Sequence, residues 1–334
     1  MIDPILILGG SGAMGSTTAR LLRDAHPSLP LVIGARDQRR ASAAAQAVGN
    51  AAPATIDLSR RDLGLAHDQA YSAVVVALRD TAYNSIRFAQ DRRIGIILLS
   101  EAAFELAPII ALYATRPTAS PIVILGHSHG GIPSLVAAAL VADLPDAHAI
   151  RIGVIFDPED PLPPGAQVDM VEIVRVGPPP LVRRGRRWQW LGDDAPDAFT
   201  LRSAAGEVLT AEAYGLPDVL SLARIAVDMD ITLLAAEGRT AFDARGRPGH
   251  EVVIEIDTTQ ETRRWRFVDP DGNAMLGARG IMLAAERLAG VRGTTPPGGL
   301  YFPEHLISPE DAIGRLGGWG ITVVEESLPD RSLI

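Results

Sequence analysis

The 334-residue chain contains no cysteine. Disulfide bonds, thiolate nucleophiles and cysteine-ligated zinc are therefore excluded. Lysine is absent as well, since all 31 basic residues are arginine, and this excludes Schiff-base catalysis on a lysine amine. Because arginine keeps its proton, any side chain that donates a proton in a reaction must be His, Tyr, Asp or Glu.

Long apolar runs and a positive net charge are also missing. No apolar run reaches the ~20 residues of a membrane span, and a strand pattern that begins at residue 4 leaves no room for a cleaved signal. The net charge of −9 argues against nucleic acid as a partner. We therefore expect a cytoplasmic protein that binds neither a membrane nor nucleic acid. The length and the 47% hydrophobic content indicate a globular chain of two domains.

Glycines follow the first strand pattern at the spacing G-x-G-x-x-G. An apolar run at residues 4–8 precedes Gly10, Gly12 and Gly15, and a helix pattern continues from them. Strand, glycine turn and helix in this order are typical of a dinucleotide-binding site. The glycines let the backbone approach a pyrophosphate, whose charge then faces the first helical amides. The predicted cofactor contacts in this turn are Gly10, Ser11, Gly12, Ala13, Met14 and Gly15.

The end of the second strand favours NADP over NAD. An NAD site usually has Asp or Glu at that place, whereas the strand pattern at 31–36 ends in Ala35 and Arg36. A guanidinium can bind a 2′-phosphate through two hydrogen bonds, and Arg40 lies one helical turn further on. NAD remains an alternative cofactor, because the side chain of Asp37 can turn towards a ribose. A solvated arginine cluster at a helix start is the alternative to a phosphate site.

Short apolar strand patterns alternate with helix patterns over residues 1–145. The strands are predicted at 4–8, 31–36, 54–58, 73–78, 94–99 and 121–125. This alternation predicts an α/β domain of the Rossmann type, with a doubly wound parallel sheet. Ligands of this fold bind beyond the carboxyl ends of the strands. Asp57, Leu78 and Arg79 are therefore further predicted cofactor contacts.

A second domain is predicted over residues 146–272, where strand patterns follow one another, one of them at 169–176. They indicate an α+β domain built on a largely antiparallel, mixed sheet that binds substrate. Residues 273–334, with a helix at 273–288 and a strand at 321–325, are expected to return to the first domain and complete it. We expect the open sheet of the second domain to pair with its copy in a homodimer.

The loop after the sixth strand carries the candidate catalytic histidines. Residues 125–134 read Leu-Gly-His-Ser-His-Gly-Gly-Ile-Pro-Ser, at the carboxyl edge of the sheet. In an extended loop His127 and His129 point to the same side, and either can donate a proton as a hydride arrives. A metal site would need a third ligand, which the neighbouring sequence does not offer. A structural loop, with histidines that cap a helix or bind backbone, is the other alternative.

Three further residues are candidates for the site. Tyr83 and Glu101 follow the fourth and fifth strands at the cleft edge, where they are alternative proton donors. Helix capping is the other interpretation of those positions. Arg175 belongs to the second domain and is a candidate for binding a substrate carboxylate, or else part of a solvated face.

In their order along the chain these features resemble the saccharopine dehydrogenase family of NAD(P)-dependent oxidoreductases. The resemblance covers the turn at 10–15, the Ala35-Arg36 strand end, the Gly-Ile-Pro turn at 131–133, and residues 299–304, which are similar to the family's Gly-x-x-x-Pro-Glu ending. It implies a homodimer, a substrate cleft between the domains, and hydride transfer to or from a carbon–nitrogen or carbonyl centre. We expect Glu304 to lie in that cleft and to meet an amine of the substrate.

Two departures from the family pattern concern the substrate. Members often have an Asn and a Gly-Pro-Phe-like stretch after the fourth strand, where this chain has Ala-Leu-Arg-Asp at residues 77–80. The lysine-forming saccharopine enzymes are understood to use a Lys together with a His, and this chain has no Lys. Saccharopine itself is therefore not the expected substrate.

The resulting hypothesis is an NADPH-dependent reductase of a small imine or carbonyl compound, either amino-acid-like or a secondary metabolite. His127 or His129 donates the proton in this hypothesis. The alternative is an NADP(H)-binding sensor or scaffold protein without turnover. A third hypothesis is racemisation or elimination with a cofactor that stays bound.

Overall fold

The computed structural model describes residues 2–99, 102–160, 162–192, 199–242 and 245–327. The strands of this part are β1 (Ile5–Leu8), β2 (Leu31–Ala35), β3 (Ala51–Thr55), β4 (Ala73–Val76), β5 (Gly95–Leu98), β6 (Pro121–Ile124), β7 (Ala147–Phe156), β8 (Leu181–Arg184), β9 (Arg187–Trp190), β10 (Phe199–Arg202), β11 (Val208–Ala213), β12 (Asp230–Glu237), β13 (His250–Thr258), β14 (Thr262–Asp269), β15 (Gly299–Tyr301) and β16 (Val324–Glu326). Its helices are α1 (Ala13–Ala25), α2 (Gln38–Val48), α3 (Asn84–Arg92), α4 (Leu106–Thr115), α5 (Ile132–Ala142), α6 (Pro164–Val176), α7 (Asp218–Ile225), α8 (Asn273–Leu288) and α9 (Pro309–Gly318). None of the helices described has the length and apolar character that a membrane span needs.

The first sheet has the strand order β3-β2-β1-β4-β5-β6-β15, and each neighbouring pair is parallel. Ile5 and Ile7 belong to the core formed with α1 and α8, whereas Leu6 and Leu8 belong to the core on the opposite face. Side chains of a strand alternate between the two faces, so one run of four apolar residues supplies both cores. The predicted Rossmann sheet is confirmed.

The order of strands reverses beside β1. The chain passes from β1 outward to β2 and β3, and then returns to the other side of β1 to form β4, β5 and β6. The connections after β1 and β4 therefore leave in opposite directions, which opens a crevice at the carboxyl edge of the sheet. Open α/β sheets bind their ligands at this place.

The second sheet is mixed, as predicted. β7 lies near its centre, parallel to β12 on one side and antiparallel to β13 on the other. β11 and β10 continue the sheet beyond β12, β14 and β16 continue it beyond β13, and β8 pairs with both β12 and β9. Ile152 and Val154 of β7 face a core shared with α5 and α7, while Ile155 faces a smaller core that includes Leu201.

Two predictions about single elements are wrong. Residues 169–176 are the second half of α6 and not a strand. The charged residues 169, 172 and 175 recur at a helical spacing, and the helix begins at a proline, whose missing N–H is not needed there. The last strand, β16, pairs with β14 in the second sheet instead of returning to the first. β15 does return to the first sheet, where it pairs with β6.

Candidate active site

A cavity of about 690 Å³ opens at the carboxyl edge of the first sheet. The glycine turn after β1 forms one end, and residues that follow β4, β5 and β6 form the floor. Phe156, at the end of β7, and the segment 162–170 line the other end. Both sheets therefore contribute to one cavity, of the size that small-molecule and cofactor sites have.

Gly15 allows α1 to begin close to the turn that follows β1. A Cβ at this position would lie 2.5 Å from the carbonyl oxygen of Gly9, well inside van der Waals contact. The Gly12 amide donates to the same oxygen at 2.9 Å, and a Cβ on Gly12 would lie 3.2 Å from it. A side chain at position 15 would push the helix away from the strand. The glycine spacing is thus required by packing within the turn itself.

The start of α1 is open towards the cavity. Gly12 is its N-cap, and no side chain caps its first amides. Ser11, Gly12, Ala13 and Met14 line the cavity. Uncapped amides at the positive end of a helix dipole are suited to phosphate oxygens. This end of the cavity therefore fits the pyrophosphate of a dinucleotide.

The end of β2 presents a cation to the cavity. The Asp37 carboxylate accepts from the amides of Arg39 and Arg40, at 2.7 and 3.1 Å, and so caps α2. Arg40 lines the cavity, whereas the exposed Arg36 does not. The buried Ala35 ends the strand without a polar side chain. This arrangement suits a 2′-phosphate better than a bare ribose.

The ends of β3 and β4 differ in their distance from the cavity. Leu78 and Arg79, which follow β4, line it, and Arg79 forms an ion pair with Glu105. Asp57, which follows β3, is exposed and is not among the described residues of the lining. Its carboxylate accepts from the amide and hydroxyl of Ser59, and these bonds lower the pKa of Asp57.

The histidine loop packs directly on α8. Gly130 has φ of +62°, and a Cβ there would lie 2.6 Å from the Gly277 carbonyl oxygen. Gly131 has φ of +80°, and a Cβ there would lie 2.6 Å from Cγ of Pro303. Only glycine combines these backbone angles with such close approach. The loop is therefore seated between α8 and the turn at 303–305.

A buried carboxylate beneath the second sheet holds the same loop. Asp218 begins α7 and is 1% exposed. It accepts from the Ser128 amide at 2.8 Å, from the Ser128 hydroxyl at 2.7 Å and from the Ser134 hydroxyl at 2.8 Å. Sequence reasoning missed Asp218, because no motif connects residues 90 positions apart. The position of the loop thus depends on a contact between elements of the two sheets.

His127 lines the cavity with an imidazole that makes no hydrogen bond to the described residues. The residue is 5% exposed, and neither Nδ1 nor Nε2 has a partner in this part of the chain. Its ring meets Phe302 edge-on, with centroids 5.6 Å apart. Burial lowers the pKa of His127 to about 4, and the nearby Asp218 carboxylate offsets part of that effect. The imidazole is therefore neutral at pH 7.

His129 lines the cavity from a left-handed backbone, with φ of 46° and ψ of 47°. Its ring stacks on His250 with centroids 3.8 Å apart, and it lies 5.9 Å from the ring of Phe156. Burial lowers the pKa of His129 to about 3 and the pKa of His250 well below its usual value. Strained backbone that presents an imidazole in a cavity wall is typical of functional sites. Sequence reasoning missed His250, because a single histidine at a strand start forms no motif.

The two histidines of the loop are suited to hydrogen bonding with a ligand. Among the described residues Nδ1 of His129 has no partner, and His127 caps the following turn without a side-chain hydrogen bond. A neutral imidazole N–H can polarise a carbonyl or imine and pass on a proton. No three His, Asp or Glu side chains in the described ranges are arranged to hold a metal ion.

The remaining candidates lie outside the described lining of the cavity. Tyr83 has a left-handed backbone before α3, and Arg175 is exposed near the end of α6. Glu304 accepts from the Ser221 hydroxyl at 2.9 Å through Oε1, and burial raises the pKa of Glu304 to about 7. Glu101 lies outside the described residues. The roles assigned to these four residues stay predictions.

Acid is expected to destabilise the protein between about pH 6.5 and pH 4. His127 and His129 stay neutral in the folded protein down to a pKa of about 4 and about 3, but in the unfolded chain they take up protons near 6.5. Unfolding therefore binds protons in this range, and for His127 alone the free energy of unfolding falls by on the order of 3 kcal/mol. Glu304 opposes this, because its raised pKa favours the fold at low pH and this contribution is lost as the pH rises through about 7.

Urea denaturation at pH 7 and pH 5 measures this dependence. His127→Gln should flatten it, while His67→Gln, at an exposed position, should leave it unchanged. A pH dependence that His127→Gln leaves unchanged would contradict the burial of a neutral imidazole at this position.

Comparison with known proteins establishes the fold. No protein-family model matches the sequence, and no curated protein matches it by sequence. Saccharopine dehydrogenase (L-Glu forming) from Saccharomyces cerevisiae superposes with a TM-score of 0.68 at 12% identity, over 98% of this chain and 100% of that one. Homospermidine synthase from Legionella pneumophila, solved in complex with NAD, has a TM-score of 0.64 at 10% identity, over 98% and 92%. The chain therefore has the fold of saccharopine dehydrogenase, and the resemblance drawn from the sequence is confirmed at that level.

Proposed function

We propose that the chain is an NADP(H)-dependent oxidoreductase that reduces or oxidises a small imine, amine or carbonyl compound. One observation carries the proposal: the open start of α1 and the imidazoles of His127 and His129 line the same cavity. Hydride transfer to a polar double bond needs a place that binds the phosphates of the dinucleotide and a group that hydrogen-bonds to the double bond of the substrate. The shared fold with saccharopine dehydrogenase supports this assignment.

The chain supplies binding, orientation and a proton route. When bound, the dinucleotide supplies or accepts the hydride. The backbone amides at Ser11, Gly12, Ala13 and Met14 would hold its pyrophosphate, and Arg40 would hold the 2′-phosphate. The N–H of His127 or His129 would donate a hydrogen bond to the oxygen or nitrogen of the double bond, and the ring would relay a proton to that atom from water as the carbon is reduced.

Assays of NADPH oxidation with a panel of imines and carbonyl compounds test the proposal. Consumption of NADPH with at least one compound supports it. Binding of NADPH without consumption would favour the alternative, a sensor or scaffold protein. A changed product with no net consumption would favour racemisation or elimination instead.

NADP(H) is expected to bind at least about tenfold tighter than NAD(H), a difference of about 1.4 kcal/mol from contacts to the 2′-phosphate. Arg40→Ala should remove most of this preference. Arg39→Ala is the matched control, because Arg39 lies on the same helix and is not among the described residues of the cavity wall. Dissociation constants are measured by calorimetry. Equal constants for the two dinucleotides in the unmodified protein would overturn the choice of NADP.

We also propose that residues 1–145 with 273–334, apart from β16, form the nucleotide-binding domain, and that 146–272 form the substrate and dimerisation domain. Pairing of β15 with β6 supports this division, whereas β16 crosses it. Trp188 and Trp190 on β9 are 48% and 50% exposed, an apolar edge that a second copy can cover. Limited proteolysis that first cleaves the chain away from residues 145 and 272 would contradict the domain boundaries. A monomeric mass in light scattering would contradict the dimer.

A further inference from the structure

The end of the cavity away from the glycine turn has an apolar wall. Phe156 closes it from β7, and Leu216 lines it from the segment before α7. Leu162, Val168 and Met170 belong to the segment that runs into α6 and lines the same end. Such a wall binds the apolar body of a ligand by removing its surface from water.

Two arginines line the cavity, Arg40 at the dinucleotide end and Arg79 on the floor. Arg40 follows β2, and Arg79 follows β4 and is paired with Glu105. No other Arg within the described ranges lines the cavity. Beyond those ranges the sequence holds a single Arg, Arg331. A carboxylate at the apolar end would lose its hydration without gaining a cation, which is strongly unfavourable.

The polar side chains of this end are engaged, apart from the imidazoles. Nδ2 of Asn273 donates to the Asp160 carbonyl at 2.6 Å, and the Ser128 hydroxyl donates to Asp218 at 2.7 Å. Ring nitrogens of His127 and His129 have no partner among the described residues. Within the described lining, these ring nitrogens therefore offer a hydrogen bond to a polar group on the ligand.

We propose that the substrate is an imine or carbonyl compound that carries no carboxylate and has an aromatic or alicyclic body. The inference rests on the proposed function and names the substrate class of the same site. The ring lies between Phe156 and the segment 162–170, and the double bond reaches His127 or His129. In the reductive direction NADPH is oxidised as its hydride adds to carbon, and nitrogen or oxygen takes a proton from the imidazole N–H while the ring regains one from water.

Phenylacetone and phenylpyruvate form a matched pair of probes, because a methyl group in one replaces the carboxylate of the other. Calorimetry on the NADPH complex measures binding, and NADPH absorbance measures turnover. We expect phenylacetone to bind at least about tenfold more tightly than phenylpyruvate, since the carboxylate of the acid would lie beside the histidines, where the charge of Arg79 is already paired with Glu105.

Tighter binding of phenylpyruvate, or binding of neither probe, would overturn the inference. Consumption of NADPH with phenylpyruvate as the better substrate would overturn it while leaving the oxidoreductase function intact. Preferred binding of phenylacetone without consumption of NADPH would overturn the proposed redox function but would still support the proposed ligand class.

A new cation at the apolar end should reverse the preference. Val168 and Val171 are both exposed on α6, at 62% and 64%, but only Val168 of the two lines the cavity. Val168→Arg should shift the ratio of the two dissociation constants towards phenylpyruvate by about tenfold, as a new ion pair allows. Val171→Arg should leave the ratio unchanged, and NADPH should bind both variants equally. Equal ratios in the two variants would overturn the position assigned to the substrate.

Discussion

Asp218→Ala is expected to lower the free energy of unfolding by about 3 to 5 kcal/mol, the largest effect that we expect from a single side chain. The substitution leaves three buried donors without an acceptor: the Ser128 amide, the Ser128 hydroxyl and the Ser134 hydroxyl. Because the histidine loop loses its contact with α7, turnover should fall as well. Urea denaturation at neutral pH measures the free energy of unfolding.

Asp228→Ala is the matched control for this prediction. Asp228 is 69% exposed and pairs with the exposed Arg186, so its loss should change the free energy of unfolding by less than about 0.5 kcal/mol. Asp218→Asn should lie between the two, since an amide keeps one acceptor oxygen. If Asp218→Ala unfolds at the same urea concentration as the unmodified protein, Asp218 does not hold the loop.

His127→Gln and His129→Asn are expected to lower turnover by about 10²-fold or more, as the loss of a proton donor does. Asparagine is chosen at position 129 because it tolerates the left-handed backbone found there. Binding of NADPH should change little, since the contacts predicted for its pyrophosphate are backbone amides and not the imidazoles. Steady-state kinetics with a substrate found in the NADPH assay, and calorimetry with NADPH alone, separate the two effects.

His148→Gln provides the control, because His148 is exposed and is not among the described residues of the cavity wall. Full turnover in both histidine variants would show that the loop is structural. Tyr83, Glu101 or a water bound to the substrate would then be the leading candidate for the proton donor.

Features that depend on neighbours in the chain could be predicted from the sequence. The glycine turn at 10–15, the alternation of short strands with helices, and the helix at 273–288 are all found where the sequence places them. Each follows from local steric rules, such as the close approach that Gly15 permits, or from the burial of a strand on both faces. At residues 169–176 we predicted a strand although the charged residues recur at a helical spacing, and the element type was wrong.

The composition of the site was decided by the tertiary structure. Asp218 reaches the histidine loop across 90 positions, His250 stacks on His129 from another strand, and Arg40 rather than Arg36 lines the cavity. Such contacts depend on which strands become neighbours and how far each helix is rotated, and no short stretch of residues specifies either. The sequence by itself determined that a dinucleotide-type turn opens the first sheet. Only the assembled sheets determined what lies opposite that turn, because burial and pairing over long separations are properties of the packed molecule.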